Sequence, residues 1–117
     1  MKSLDDIDLV PTEQMQREAQ KGLDLRKEFK RGGTAVGVAR ARDIANAKSL
    51  SPETISRMVS FFSRHEKSVK EGKGFKHGSE GYPSAGKIAW LLWGGEGGFD
   101  WAKRKQDEIR RVRGEKV

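Results

Sequence analysis

Cysteine is absent from this 117-residue chain. Disulfide bonds, thiolate metal sites and cysteine nucleophiles are therefore excluded. We expect no metal and no cofactor, since the two histidines stand beside Glu66 and near Glu80 without the helix-borne pair that zinc sites use. The serines are scattered and belong to no recognisable acid/base constellation. The sequence thus favours a protein that is not an enzyme.

Apolar residues are also scarce, at 34% of the chain against 35% charged residues. Globular proteins are typically about 45% apolar, so we expect one thinly cored domain. The longest apolar run, IAWLLW at 88–93, is far too short to cross a bilayer. The acidic start MKSLDDIDLVP has no apolar stretch of a signal peptide. We therefore expect a soluble, intracellular protein without a membrane partner.

Positive charge is in excess, with 24 Lys and Arg against 17 Asp and Glu and a net charge of +7. Such a balance favours a polyanionic partner, because binding releases counterions from phosphates. Nucleic acid is the first expectation. The alternative is that the surplus of lysine and arginine only keeps a small protein soluble.

Helical signals recur along the chain and predict an all-α fold, a compact bundle of about four to five short helices with a long Gly/Lys-rich loop. Apolar spacing and capping residues predict helices over 12–31, over 34–47 with Thr34 as cap, and from Ser51-Pro52-Glu53 to about His65. The loop should span 66–83. A short helix capped by Ser84 and reaching Trp93, a GGEGG turn and a last helix capped by Asp100 should follow.

Charge and composition divide the chain into three parts. Residues 1–11 read as a flexible acidic N-terminal arm, and residues 12–105 as a single helical domain. Residues 106–117 read as the end of a basic helix or a tail, in which Ile109 and Val112 tether the helix to the core.

The segment DIANAKSLSPETISR, residues 43–57, resembles the helix-turn-helix of sigma-factor and response-regulator output domains. In such a motif Ala45 lets the two helices approach, Leu50 fills the space between them and Ile55 anchors the second helix. Lys48 and Ser49 depart from the usual apolar residue and glycine of the turn. The alternative is an ordinary helical hairpin.

The helix-turn-helix interpretation implies nucleic-acid-binding residues. The second helix would present side chains to base edges in the major groove, with Arg57 the best candidate for a forked contact to guanine. Flanking cations would contact phosphates, and two lysines of the loop would add to them. The complete set comprises Arg40, Arg42, Lys48, Ser51, Thr54, Ser56, Arg57, Arg64, Lys73 and Lys76.

Late aromatic residues leave two interpretations open. Interleaved with lysines, they suggest a platform on which unpaired bases stack, but in a small protein such rings more often form the core. We expect Trp90 in the core and Phe75 or Tyr82 exposed. The cluster comprises Tyr82, Trp90, Trp93, Phe99 and Trp101.

Three longer blocks carry a second resemblance: GGTAVGVARARDIANAKSLSPETISRMVSFFSRHE, GYPSAGKIAWLLWGG and FDWAKRK. They are similar to a small domain encoded by phages and prophages, over about residues 12–105. The resemblance implies a viral origin and a location in the host cytoplasm or the virion. It implies no catalytic residues.

Together these features predict a small basic phage-type DNA-binding protein acting on duplex DNA. A lone helix-turn-helix often works as a dimer, so a homodimer is compatible with this interpretation. The alternative is a non-enzymatic module that binds a viral or host protein through the Gly/Lys-rich loop and the aromatic cluster.

Overall fold

The computed structural model describes residues 3–114, and every regular element in that range is helical. The prediction of an all-α bundle is confirmed. A short 3-10 turn at Leu4–Asp6 precedes five helices, α1 (Glu13–Phe29), α2 (Ala35–Ala45), α3 (Pro52–Glu71), α4 (Ala85–Leu92) and α5 (Gly95–Val112). None of these helices is both long and apolar enough to cross a membrane.

Hydroxyl side chains cap the first four α-helices. In each case the side-chain oxygen accepts a hydrogen bond from a backbone N–H that the helix itself leaves unpaired. The caps are Thr12 on Met15 (3.2 Å), Thr34 on Gly37 (3.1 Å), Ser51 on Thr54 (3.1 Å) and Ser84 on Lys87 (2.9 Å). The caps predicted at Thr34, Ser51 and Ser84 are confirmed.

Removal of the Ser51 hydroxyl tests the cap at the start of α3. We expect Ser51→Ala to lower the free energy of unfolding by about 1 kcal/mol, because the Thr54 N–H loses its acceptor. Urea denaturation followed by circular dichroism measures the change. Ser49→Ala, in the exposed connection before α3, is the matched control and should have no effect. An equal loss in both variants would contradict a capping role.

α3 is longer than the sequence pattern predicts. It passes the expected end near His65 and continues to Glu71, so the expected loop over 66–83 is reduced to 72–84. Tertiary packing explains the difference, since Val69 in the added turn packs against the core. Local periodicity does not report such a contact.

An ion-pair network ties the last turn of α3 to the start of α5. Lys70 Nζ lies 3.0 Å from Glu66 Oε2 on α3 and 2.9 Å from Glu96 Oε2 on α5. The hydrogen bond with Glu96 is the largest of the effects that raise the pKa of Lys70 above its usual 10.5. Lys70 therefore stays charged at neutral pH, and α3 and α5 remain linked at this end.

α5 begins at Gly95 rather than at Asp100, so the GGEGG segment enters the helix and does not form a separate turn. The preceding Gly94 has a φ of 106°, a conformation that glycine adopts without strain. A Cβ at Gly98 would lie 2.8 Å from the Trp93 carbonyl oxygen. This close approach of the two backbones lets α4 lead directly into α5.

α4 occupies the centre of the bundle. Its mainly apolar sequence, AGKIAWLL, contacts all four other α-helices. α1 packs mainly on α2 and α4, whereas α3 packs mainly on α5. The consecutive helices α2 and α3 therefore have different main partners, although both contact α4. α5 and α4 hold α3 in place.

Aromatic rings fill the core between α3, α4 and α5. Phe62 is fully buried, and its ring centroid lies 4.8 Å from that of Trp90 and 4.9 Å from that of Phe99. Trp93 and Trp101 are buried as well. The prediction for Trp90 is confirmed, and these tryptophans belong to the core rather than to an open stacking platform.

The N-terminal segment, which the sequence assigns to a flexible arm, packs on the core over its described part. Ile7 and Leu9 are buried. The Leu50 N–H donates a hydrogen bond to the Leu9 carbonyl oxygen at 2.9 Å. Residues 3–11 thus lie beside the connection that leads into α3.

The basic C-terminal segment belongs to α5 as far as Val112. The predicted tether is confirmed, because Ile109 is buried and Val112 packs on the core. Residues 115–117 of the predicted tail lie outside the described part of the chain.

Candidate nucleic-acid interface

α3 presents a face of small hydroxyl side chains and cations to solvent. Burial of Ile55, Met58 and Phe62 turns the opposite side of the helix outward. Serines occupy the middle of that side, and their short side chains let another molecule approach the helix closely. The exposed positions are Glu53, Ser56, Arg57, Ser60, Ser63, Arg64, Lys67, Ser68 and Glu71.

One flank of this serine row carries two arginines. Arg57 and Arg64 line a shallow hollow of about 260 Å³ together with Ser56, Ser60, Phe61 and Trp93. The two arginines are two helical turns apart, about 10 Å along the axis. Phe61 stacks on Trp93 at 5.1 Å between ring centroids, which gives the hollow a firm apolar floor.

The other flank is supplied by the C-terminal end of α5. α3 and α5 run antiparallel. Lys70 forms an ion pair with Glu96 at one end, and Pro52 and Arg113 line the same hollow at the other. A hollow of about 180 Å³ lies at this second end, lined by Pro52, Ser56, Gln106, Ile109, Arg110 and Arg113. Ser56 lines both hollows. At Ser56 the serine row is therefore bordered by arginines on both sides.

We call Arg57, Arg64, Arg110 and Arg113, with the serines between them, the arginine face. All four arginines are exposed. Within residues 3–114 none of the four forms an ion pair. Each ion pair in that range joins a carboxylate to another lysine or arginine. Their guanidinium groups, each with several N–H donors, are thus available to anionic ligands.

Three of the predicted site residues, Ser56, Arg57 and Arg64, come together on the arginine face. Two others, Ser51 and Thr54, take part in the cap at the start of α3. Thr54 is only 8% exposed, and its Oγ1 lies 3.0 Å from the Ser51 Oγ, which already caps α3. Thr54 faces inward because it lies on the side of α3 that also carries Ile55 and Met58.

Two of the three predicted phosphate contacts before α3 form ion pairs with Asp43. Asp43 Oδ2 lies 3.2 Å from Arg40 Nη1, and Asp43 Oδ1 lies 3.8 Å from Lys48 Nζ. One carboxylate therefore pairs with both cations. Arg42 differs, because it is exposed and forms no ion pair with any residue between 3 and 114.

The predicted lysines of the 72–84 loop lie outside the arginine face. Both line a hollow with Lys70 and Phe75, and none of its lining residues belongs to the arginine face. Lys73 Nζ also pairs with Glu80 at 3.1 Å, whereas Lys76 is exposed. The loop lysines are therefore not part of the same surface.

The aromatic residues of this loop are half-buried, contrary to the expectation that they are exposed. The Phe75 ring packs edge-on against the Trp90 ring, with 6.3 Å between the ring centroids. The Lys87 ammonium lies 4.1 Å from the centroid of Phe75. Tyr82 packs against His77 at 5.1 Å. Burial lowers the pKa of Lys87, consistent with an ammonium held close to the protein. Both rings therefore pack against side chains of the protein itself.

Arg110 and Arg113 are functional candidates outside the set of nucleic-acid-binding residues predicted from the sequence, although the basic stretch 103–116 is also compatible with a phosphate-binding arm. The helical spacing of Ile109 and Val112 indicates a helix there, which would have suggested an exposed basic side. Nothing local in the sequence indicates that this side lies next to Ser56 on α3. Only the antiparallel packing of α5 on α3 brings them together.

The turn between α2 and α3 and the first turn of α3 each contribute an apolar side chain to the core. Leu50 is 5% exposed and Ile55 is fully buried. The helices on either side of the turn have different main partners. α2 rests on α1 and α4, whereas α3 rests on α5 and α4. The exposed side of α3 is therefore oriented by α5 and α4.

The fold and the surface define a small all-helical protein with an arginine-rich face. No protein-family model, no curated protein and no solved structure matches this chain. Among residues 3–114, no three His, Asp or Glu side chains come together in a group that could hold a metal ion.

Proposed function

We propose that this protein binds duplex DNA by placing α3 in the major groove. The observation that carries the proposal is the serine row of α3, bordered on both sides at Ser56 by arginines that lack ion-pair partners among the described residues. The chain's net charge of +7 adds a general attraction to polyanions.

The dimensions of the two partners support this docking. The major groove of B-DNA is about 12 Å wide and admits one α-helix. Short side chains at Ser56 and Ser60 let the axis of α3 lie deep in the groove, where their hydroxyls reach base edges. Arg57 is placed to fork onto a guanine or to hold a phosphate.

The flanking arginines then account for affinity. Arg64 on one side and Arg110 and Arg113 on the other would meet the phosphates of the two strands, which border the groove. Contacts of this kind position the protein and carry no sequence information. The resemblance to phage-encoded domains suggests a nucleoprotein in an infected cell or in the virion as the setting.

A salt series tests the proposal. With three arginine–phosphate contacts, or four where Arg57 also holds a phosphate, the logarithm of the association constant should fall with the logarithm of salt concentration at a slope of about −2.7 or −3.6. Fluorescence anisotropy with a labelled duplex and a single strand of equal length measures this slope. The duplex should bind more tightly, because a single strand offers no groove. A slope shallower than about −1, or tighter binding of the single strand, would overturn the proposal.

A further inference from the structure

A second basic surface lies where α1 ends and the chain turns into α2. Four cations, Arg26, Lys27, Lys30 and Arg31, line a hollow of about 460 Å³ whose remaining lining residues are Gly32 and Gly33. No acidic side chain lines it. We call these four cations the basic corner.

The backbone of the basic corner is held in a defined shape. Lys30 ends α1 in the left-handed conformation, with a φ of 53°. The Arg26 Nε–H donates to the Gly32 carbonyl oxygen at 3.0 Å. A Cβ at Gly32 would lie 2.7 Å from the Ala85 carbonyl oxygen, and one at Gly33 would lie 2.5 Å from Leu92 Cδ1. The loop therefore rests directly on α4, and its cations are gathered around one hollow.

The four cations of the basic corner have no acidic partner within the described range 3–114. Arg31 instead lies over the exposed ring of Phe29, 5.8 Å from its centroid. Uncompensated positive charge in a concave surface attracts anions, and phosphate groups match the donors of arginine and lysine.

The basic corner and the arginine face are separate surfaces. No residue lines both. The corner belongs to α1 and its loop, whereas the arginine face belongs to α3 and α5. α4 contacts both α1 and α3.

A lipid surface is a poorer fit to the basic corner than nucleic acid. Phe29 and Val36 are exposed there, at 39% and 53%, but the exposed positions of α1 are otherwise occupied by charged and polar side chains. A helix that lies in a membrane interface needs a broad apolar face. Phosphates of nucleic acid require only the cations.

We infer that the basic corner binds the phosphates of a second duplex segment, so that one protein molecule bridges two duplexes. The inference rests on the proposed function, because the arginine face must hold the first duplex. It adds a second binding site with its own residues.

A capture experiment tests bridging. A biotinylated duplex is fixed on beads, the protein is added, and retention of a second, fluorescent duplex is measured after washing. The wild-type protein should retain the fluorescent duplex. Lys27→Ala/Arg31→Ala should keep its affinity for a single duplex, yet retain at least about tenfold less of the second, since two phosphate contacts are lost.

Matched controls separate bridging through the basic corner from bridging through oligomers of the protein. Arg17→Ala/Lys21→Ala removes the same charge from exposed positions of α1 outside the hollow and should bridge like wild type. Light scattering in the same buffer reports the oligomeric state. Unchanged bridging by Lys27→Ala/Arg31→Ala would overturn the inference and indicate bridging through oligomers.

Two further outcomes distinguish the two proposals. If wild type binds one duplex with the expected salt slope but retains no second duplex, bridging is wrong and the proposed function stands. If Lys27→Ala/Arg31→Ala weakens single-duplex binding and bridging equally, the corner contacts the same duplex as α3, and bridging is wrong. If wild type binds no duplex, both proposals fail. Binding of the corner to vesicles of anionic lipid without duplex binding would likewise overturn both.

Discussion

Replacing Arg57 and Arg64 together by alanine is expected to lower the affinity for duplex DNA roughly 60-fold at about 0.1 M salt. Each lost phosphate contact reduces the slope of the log–log salt dependence by about 0.9, so the slope should become shallower by about 1.8. Both side chains are exposed and lie in one hollow beside the serine row. Their removal should therefore change binding and leave the fold intact. Anisotropy titrations of wild type and variant at several salt concentrations measure both quantities.

Two controls make this result specific to the arginine face. Arg17→Ala/Lys21→Ala has the same net charge as the variant, but its substitutions lie on α1, and it should lose little affinity. Arg57→Lys/Arg64→Lys keeps the charge and should keep the salt slope, while losing the forked contacts that favour particular bases. Equal losses in the two alanine variants would mean that only total charge matters, which contradicts docking through α3.

Phe62→Ala is expected to destabilise the protein by about 3–5 kcal/mol, the typical cost of deleting a buried aromatic ring. The ring of Phe62 is fully buried and contacts those of Trp90 and Phe99. Its loss would leave a cavity between α3, α4 and α5, the helices that orient the arginine face. Urea denaturation monitored by tryptophan fluorescence measures the change.

A graded series checks the physical reason for this loss. Phe62→Leu retains much of the apolar volume and should cost less than Phe62→Ala. Ser60→Ala, on the exposed side of the same helix, should be close to neutral. A loss below about 1 kcal/mol in Phe62→Ala would contradict the packing described around this ring.

Local signals in the sequence predicted the helical architecture well. Hydroxyl residues followed by apolar spacing marked the starts of α2, α3 and α4, because N-capping depends on atoms within three residues. Helix ends and the start of α5 were predicted less accurately. The last turn of α3 depends on Val69 and on the link from Lys70 to Glu96, and α5 begins early because Gly98 allows close contact with Trp93.

The candidate site was predictable only in part, because it also depends on how distant segments pack. Ser56, Arg57 and Arg64 share one side of a helix, so their proximity follows from helical periodicity. Asp43 pairs with both Arg40 and Lys48, which counting charges did not reveal. The contribution of α5 required knowledge of how two distant segments pack, and no pattern in a single sequence carries that information.

The most direct test of the central proposal is to map the surface that duplex DNA contacts, by backbone and arginine side-chain NMR shifts at increasing duplex concentrations. Docking of α3 predicts the largest shifts at Ser56 and Ser60 and at the side chains of Arg57, Arg64 and Arg110. Shifts confined to the 72–84 loop, or no shifts at all at low salt, would contradict it.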